Sequence, residues 1–284
     1  MSTPKSMQLA GNEHPAKINT ERGEFAALIA EPESAPIGTA LLIHGFTGSK
    51  EDFIHLLPEL AKLGWYAIAV DQRGCHESAG TENIDDYTLA EFSADLVSVT
   101  ESFSEPVHLL GHSFGGLVAQ AAAISGANIA SLTLFCSGPG AIPGDSYAWL
   151  KDFQVDLRAG NKNNRIDSSI AEMKAEDKLS SANVEQFLRA RWSNTKTAAL
   201  LGKAQILIDQ SDLSHDVAKK ATAGLPVLVT HGVADDAWPI EQQHQMAETI
   251  GAQYVVIPDA AHSPNVENVP ATTVVLDQFW RNLL

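Results

Sequence analysis

Ser113 stands alone in Gly111-His112-Ser113-Phe114-Gly115, where an apolar run ends and a small-residue helical pattern begins at once. A serine hydroxyl is a weak nucleophile until a base takes its proton, and the base needs a third group to fix its tautomer. Ten histidines are available. His262 stands out because it lies in PDAAHSPN, directly after the last apolar run. His44 and His231 precede glycines and His112 adjoins the serine, so backbone support is the expected role of each. The orienting carboxylate is sought in THGVADDAWPI, after the penultimate run. One of Asp235 and Asp236 is expected to face the histidine while the other faces solvent or caps a helix, and Asp235 is the expected partner. The preceding run ends in FCSGPG and has no acid at its tip. The chemistry such a set performs is nucleophilic attack by Ser113, with His262 as base and then acid.

These residues act together only if the chain delivers them to one edge. AKINTERGEFAALIAEP reads as a hairpin turning at Arg22-Gly23. TALLIHG, WYAIAVDQRG, VHLLGHS, SLTLFCSG, LPVLVTHG and AQYVVIPDAAH are short apolar runs that end in turn residues. Helical spacing lies between several of them, with Thr88 and Glu91 set as a capping box. Strands apolar on both faces that alternate with helices predict a mostly parallel sheet covered on both sides. Ligands of such sheets bind beyond the carboxyl ends of the strands, where Ser113, Asp235 and His262 would all sit. Glycines 111 and 115 have a steric task, because a strand that turns straight into a helix forces the serine into a strained conformation. The strand rhythm breaks over 143–223, which reads as an all-helical insertion. The core is then 1–142 and 224–284.

With 284 residues, 44% hydrophobic and 19% charged, the composition is globular. A net charge of −16 argues against nucleic acid and anionic membrane surfaces as partners. Two cysteines, Cys75 and Cys136, are too few for a disulfide framework. The first residues carry no apolar signal region, and no apolar run approaches the roughly 18–20 residues of a membrane span. A cytoplasmic protein is expected, a monomer or small homo-oligomer acting on a small molecule. Metal and cofactor signatures are missing: no G-x-G-x-x-G after a strand, no C-x-x-C and no H-E-x-x-H.

The order Ser113, Asp235, His262, with HGFTGS after the third strand and DQRG after the fourth, resembles the α/β-hydrolase fold over nearly the whole chain. That resemblance implies an eight-stranded, mostly parallel sheet with helices on both faces and a helical cap formed by the insertion. It also implies an oxyanion hole made by the backbone amides of Phe46 and Phe114. One departure is the Cys75-His76-Glu77-Ser78 stretch, where the family often has a second glycine after Arg-Gly.

A serine nucleophile sets the chain apart, by analogy, from the haloalkane dehalogenase and epoxide hydrolase branches, which use aspartate. Hydrolysis of a small carboxylic ester or lactone through an acyl-enzyme is the leading expectation. The alternative is carbon–carbon bond hydrolysis of a diketone, or the related cyclohexadiene-carboxylate synthase. The synthase-like branch typically has arginine where this chain has Leu117, and the diketone hydrolases often have tryptophan where it has Ser263. A non-catalytic ligand receptor is the third reading. Tyr147, Trp149, Phe153, Phe187 and Trp192 of the insertion, together with Trp238, are expected to wall an apolar substrate pocket, with Trp149, Trp192 and Trp238 foremost. Arg189 and Arg191 lie two apart and so face differently, with surface placement expected over contact of one of them with a substrate carboxylate.

Overall fold

A strand that is apolar on both faces needs cover on both, and the central strands here alternate between two cores. The computed structural model describes residues 2–284. Its strands are β1 (Glu13–Thr20), β2 (Gly23–Ala30), β3 (Gly38–Ile43), β4 (Trp65–Val70), β5 (Val107–His112), β6 (Ile129–Phe135), β7 (Val227–Gly232) and β8 (Gln253–Ile257). They form one sheet in the order β1-β2-β4-β3-β5-β6-β7-β8. The pairs β1–β2 and β2–β4 are antiparallel, and every other neighbouring pair is parallel.

The helices are α1 (Leu57–Lys62), α2 (Leu89–Glu101) and α3 (Phe114–Ser125), then five in succession. Those five are α4 (Gly144–Arg158), α5 (Lys162–Ala175), α6 (Ala182–Asn194), α7 (Thr197–Asp209) and α8 (Ser214–Thr222). The last three are α9 (Ile240–Ile250), α10 (Pro264–Glu267) and α11 (Val269–Arg281). Along β3, Leu41 and Ile43 enter one core while Ala40 and Leu42 enter the other. α1 and α11 cover the second face through Leu57, Leu60, Leu276 and Trp280, and α2, α3 and α9 cover the first. The Thr88 hydroxyl accepts from the Glu91 amide at 3.2 Å, so the expected cap starts α2.

Five helices and no strand separate β6 from β7, as the broken rhythm at 143–223 predicts. Their packing divides them. The Ala141 and Ile142 amides donate to Gln210 and Leu207 at 2.7 and 2.8 Å, so the two ends of the α4–α7 segment meet at a narrow neck. α8 instead packs on α3 and α9 in the layer that covers the sheet. The boundary expected at 223 therefore takes in a helix that serves the sheet. Its charged, amphipathic sequence resembles the inserted helices, and only its contacts distinguish it. No helix among the described residues is long and apolar enough to cross a membrane.

His108 on β5 lies against Trp65 and Trp280, with ring centroids 5.1 and 5.7 Å away, and its Nδ1 is 2.8 Å from the Ser131 hydroxyl. Burial pushes its pKa from 6.5 down to about 4. Below pH 6.5 the unfolded chain takes up a proton that the folded chain refuses until about pH 4. Stability from this group is complete above pH 6.5 and is lost as the pH falls. His108→Gln keeps a hydrogen-bonding side chain without the titration. It is expected to flatten the acid-side loss of unfolding free energy by up to about 1.4 kcal/mol per pH unit, measured by urea denaturation between pH 6.5 and 4.

Candidate active site

β5 ends at His112 and α3 begins at Phe114, so Ser113 is the single residue on which the chain turns. Its backbone sits at φ 55° and ψ −122°, a region disfavoured for any residue with a Cβ. Backbone bonds hold it there: the Ser113 amide donates to Phe135 at 2.9 Å and its carbonyl accepts from Gly116 at 2.8 Å. A Cβ on Gly115 would lie 2.6 Å from the carbonyl oxygens of both Ile43 and His44, and one on Gly111 would run into the backbone of Gly115. The two glycines thus let α3 seat directly on the strand ends, which lifts the hydroxyl clear.

The Ser113 Oγ is 3.0 Å from His262 Nε2, and His262 Nδ1 is 2.7 Å from Asp235 Oδ1. Asp235 is the buried member of its pair, whereas Asp236 is exposed at the rim of the cavity described below. Burial by itself would raise the Asp235 carboxyl. Hydrogen bonds from His262, from Gln243 at 3.0 Å and from the Ala237 amide at 3.2 Å outweigh it and hold the carboxyl below its ordinary 3.8. An ionised Asp235 that accepts the Nδ1 proton leaves Nε2 free to take a proton from the serine.

The loops after β7 and β8 are tied together by the Val233 amide on Ile257 at 2.9 Å and the Ala234 amide on Ala260 at 3.0 Å. His112 completes the link to β5 by donating from Nε2 to the His262 carbonyl at 2.7 Å. Burial pushes His112 down to about 3, so it stays neutral in this role. His44 and His231 likewise bond the Gly45 and Gly232 carbonyls, each at 2.8 Å, as their positions predict. Gln243 carries no mark in the sequence. It reaches Asp235 only because α9 folds back beneath the loop.

Phe46 follows β3, and Phe114 is the first residue of α3, whose amide has no partner inside the helix. Among the described residues neither amide has an acceptor. Gly45 closes against them; a Cβ there would lie 3.2 Å from that of Ser113. The loops carrying HGFTGS and DQRG are clamped by Lys50. Its Nζ reaches Asp71, Glu51 and Glu77 at 3.0, 2.8 and 2.7 Å. The unusual Cys75-His76 stretch faces the inserted helices. The His76 amide donates to the Thr195 hydroxyl at 3.2 Å, and the Gly74 carbonyl accepts from Lys196 at 2.8 Å. Among the described residues two clusters are compact enough to hold a cation, Glu51-His76-Glu77 and His112-Cys136-His262. Lys50 already neutralises the glutamates of the first, and the histidines of the second make the bonds above.

Ser113 and His262 open onto a cavity of about 410 Å³ between the strand ends and the inserted helices. Trp149, Phe153 and Trp192 line it together with Phe46, whereas Tyr147 and Phe187 do not. Trp149 stacks on Phe153 at 5.0 Å, and Phe46 meets Phe153 edge-on at 5.2 Å. Trp238 is elsewhere. It is fully buried and donates its indole N–H to Gly140 at 3.2 Å, behind the neck, while its neighbours Asp236 and Ala237 take the lining positions. The arginines separate as well. Arg189 is exposed and pairs with Asp167 and Glu185, but Arg191 is buried and donates to Asp52 at 2.7 Å, which ties α6 to the loop after β3. Surface placement is thus overturned for Arg191, because Asp52 lies inside to receive it.

A family model described as the alpha/beta hydrolase fold matches residues 40–269. The chain belongs to the alpha/beta hydrolase fold family. Among curated relatives, the alpha/beta hydrolase is 35% identical over 103 residues to epoxide hydrolase B of Mycobacterium tuberculosis, covering 36% of this chain and 29% of that one. It is 31% identical over 97 residues to a proline iminopeptidase of Lacticaseibacillus rhamnosus, covering 33% and 32%. It spans about a third of the length of these relatives. Among solved structures it overlays the enol-lactonase from Burkholderia xenovorans LB400 with a TM-score of 0.75 at 20% identity, covering 94% and 100% of the two chains. It overlays a thermophilic esterase from Thermogutta terrifontis at 0.71 and 23% identity, covering 95% and 99%.

Gln243→Leu removes one of the bonds that hold the Asp235 carboxyl down and leaves burial unopposed on that side. The Asp235 pKa is expected to rise, read by carbon-13 NMR titration of its side-chain carboxyl. An unchanged titration would show that His262 and the Ala237 amide suffice.

Proposed function

We propose that this alpha/beta hydrolase cleaves a small carboxylic ester or lactone, with Ser113 as nucleophile, His262 as general base and acid, and Asp235 orienting the histidine. The observation that carries the reading is the continuous contact from Asp235 through His262 to Ser113, at 2.7 and 3.0 Å, on the floor of an aromatic-walled cavity. A cavity of about 410 Å³ suits a small molecule. The fold shared with an enol-lactonase and an esterase supports the same class.

Ser113 Oγ attacks the carbonyl carbon as its proton passes to His262 Nε2, and the carbonyl electron pair moves onto oxygen. The resulting oxyanion is met by the amides of Phe46 and Phe114. The second lies at the start of α3, where the helix dipole favours negative charge. Collapse expels the leaving oxygen, which takes the proton from His262. Water then attacks the acyl-Ser113 ester, its proton passes to His262, and the carboxylic acid departs as Ser113 regains its hydrogen. In a lactone the leaving alcohol stays tethered to the acyl group. A serine at this turn separates the chain from branches that use aspartate there, despite its local identity to enzymes named epoxide hydrolases. Trp149, Trp192 and Phe153 are the residues proposed to hold the substrate.

A series of p-nitrophenyl esters of graded chain length, with a set of lactones and a ring-cleavage diketone, tests the class. Wild-type protein is expected to hydrolyse members of the first two groups and to be labelled once by a fluorophosphonate at Ser113. Ser113→Ala is expected to lose labelling and at least about 10³-fold in kcat. Diketone turnover without ester turnover, or an unlabelled and inactive wild type, would overturn the assignment.

A further inference from the structure

Among the described residues three buried cations stand near the site, and two of them have carboxylate partners: Lys50 with Asp71, Glu51 and Glu77, and Arg191 with Asp52. Lys203 is different. It lies on α7, is fully buried, and among the described residues no carboxylate oxygen lies within 4.0 Å of its Nζ. A Cβ on Gly202 would sit 2.5 Å from that of Tyr87, so the missing side chain lets α7 press onto the core and carries the next residue inward. There the ammonium donates to Cys75 Sγ at 2.9 Å and to the Phe46 carbonyl at 3.4 Å. It also stands 5.1 Å from the ring centroid of Phe114 and 5.7 Å from that of Phe92. Burial pushes the Cys75 thiol up, so the thiol stays neutral and offers a lone pair without cancelling the charge. A buried charge without a counter-ion is costly to keep.

Its contacts point to the use made of it. We propose that Lys203 is a positioning residue of the oxyanion site, whose buried ammonium fixes Phe46 by its carbonyl and rests on the ring of Phe114. The two residues that supply the amides are then held by one side chain of an inserted helix. Carbonyl bonding restrains rotation about Phe46 and keeps its N–H directed at the reacting oxygen. A buried positive charge without a carboxylate partner also favours the oxygen as it becomes negative. The field reaches the neighbouring strand end, since Lys203 adds to burial in pushing His44 well below its ordinary range. This role rests on the ester-hydrolase reading above.

The test compares wild type with Lys203→Met, which keeps length and apolar contact with the rings, and Lys203→Arg, which keeps the charge. Lys203→Gln carries the comparison if the methionine variant does not fold. Each is assayed on the p-nitrophenyl ester that wild type turns over best. Each is also titrated with an alkylboronic acid, which forms a tetrahedral adduct on the serine, and with the unreactive amide of the same acyl group. Folded Lys203→Met is expected to lose roughly 10–100-fold in kcat, less than the 10²–10³-fold of losing an oxyanion donor outright. Its KM and its affinity for the amide should stay within about threefold. Boronate affinity should fall in step with kcat, and Lys203→Arg should recover part of both. Unchanged kcat and boronate affinity in a folded variant would overturn the role of Lys203 alone. So would an equal weakening of amide and boronate that arginine does not repair. A wild type that neither cleaves esters nor takes the boronate would overturn the ester-hydrolase reading, and this role with it.

Discussion

What the site can do depends on holding Ser113 in a backbone conformation that its own side chain disfavours. At φ 55° the residue is strained, and the surroundings leave it no other course. Its amide is bonded to the end of β6 and its carbonyl to the first turn of α3, and α3 itself is seated against β3 by the lack of a side chain at Gly115. The strain is local, while the restraint is spread over three strands and a helix. A hydroxyl presented this way faces the cavity beyond the strand ends.

The second constraint is electrostatic. The inserted helices bring Arg191 and Lys203 into the interior, where the first meets Asp52 and the second meets the Phe46 carbonyl and Cys75. Both reach the segment after β3 that carries Gly45 and Phe46. The helices that wall the cavity are therefore also wired to the proposed oxyanion site. Lys50 performs a similar task within the core, joining the loop after β3 to that after β4. A net charge of −16 over the whole chain says nothing of this, because the interior selects its own charges by pairing and distance.

Much of the site was legible because its residues sit where periodicity changes. Ser113, His262 and Asp235 each follow an apolar run, and glycines mark the turns. His44, His112 and His231 were legible as supports for the same reason. Trp238 was misplaced because an aromatic residue near an acid reads the same whether it faces a cavity or packs behind one. Arg191 was misplaced because helical spacing tells which residues diverge, and cannot tell which of them finds a buried carboxylate. α8 was assigned to the insertion since its amphipathic pattern is the same whether its apolar side meets α3 or another inserted helix.

The alternation of short apolar runs with helical spacing determined the sheet, its mostly parallel strands and the edge on which Ser113, Asp235 and His262 gather. Those are consequences of local periodicity, which a linear chain carries in full. Tertiary structure alone decided that Gln243 steadies Asp235, that Trp238 lies behind the neck, that Arg191 meets Asp52, and that Lys203 has no carboxylate partner among the described residues. Each of these is a question of which groups come within about 3–4 Å of one another. Distances of that kind are set by the packing of elements far apart in the chain, and no local pattern records them.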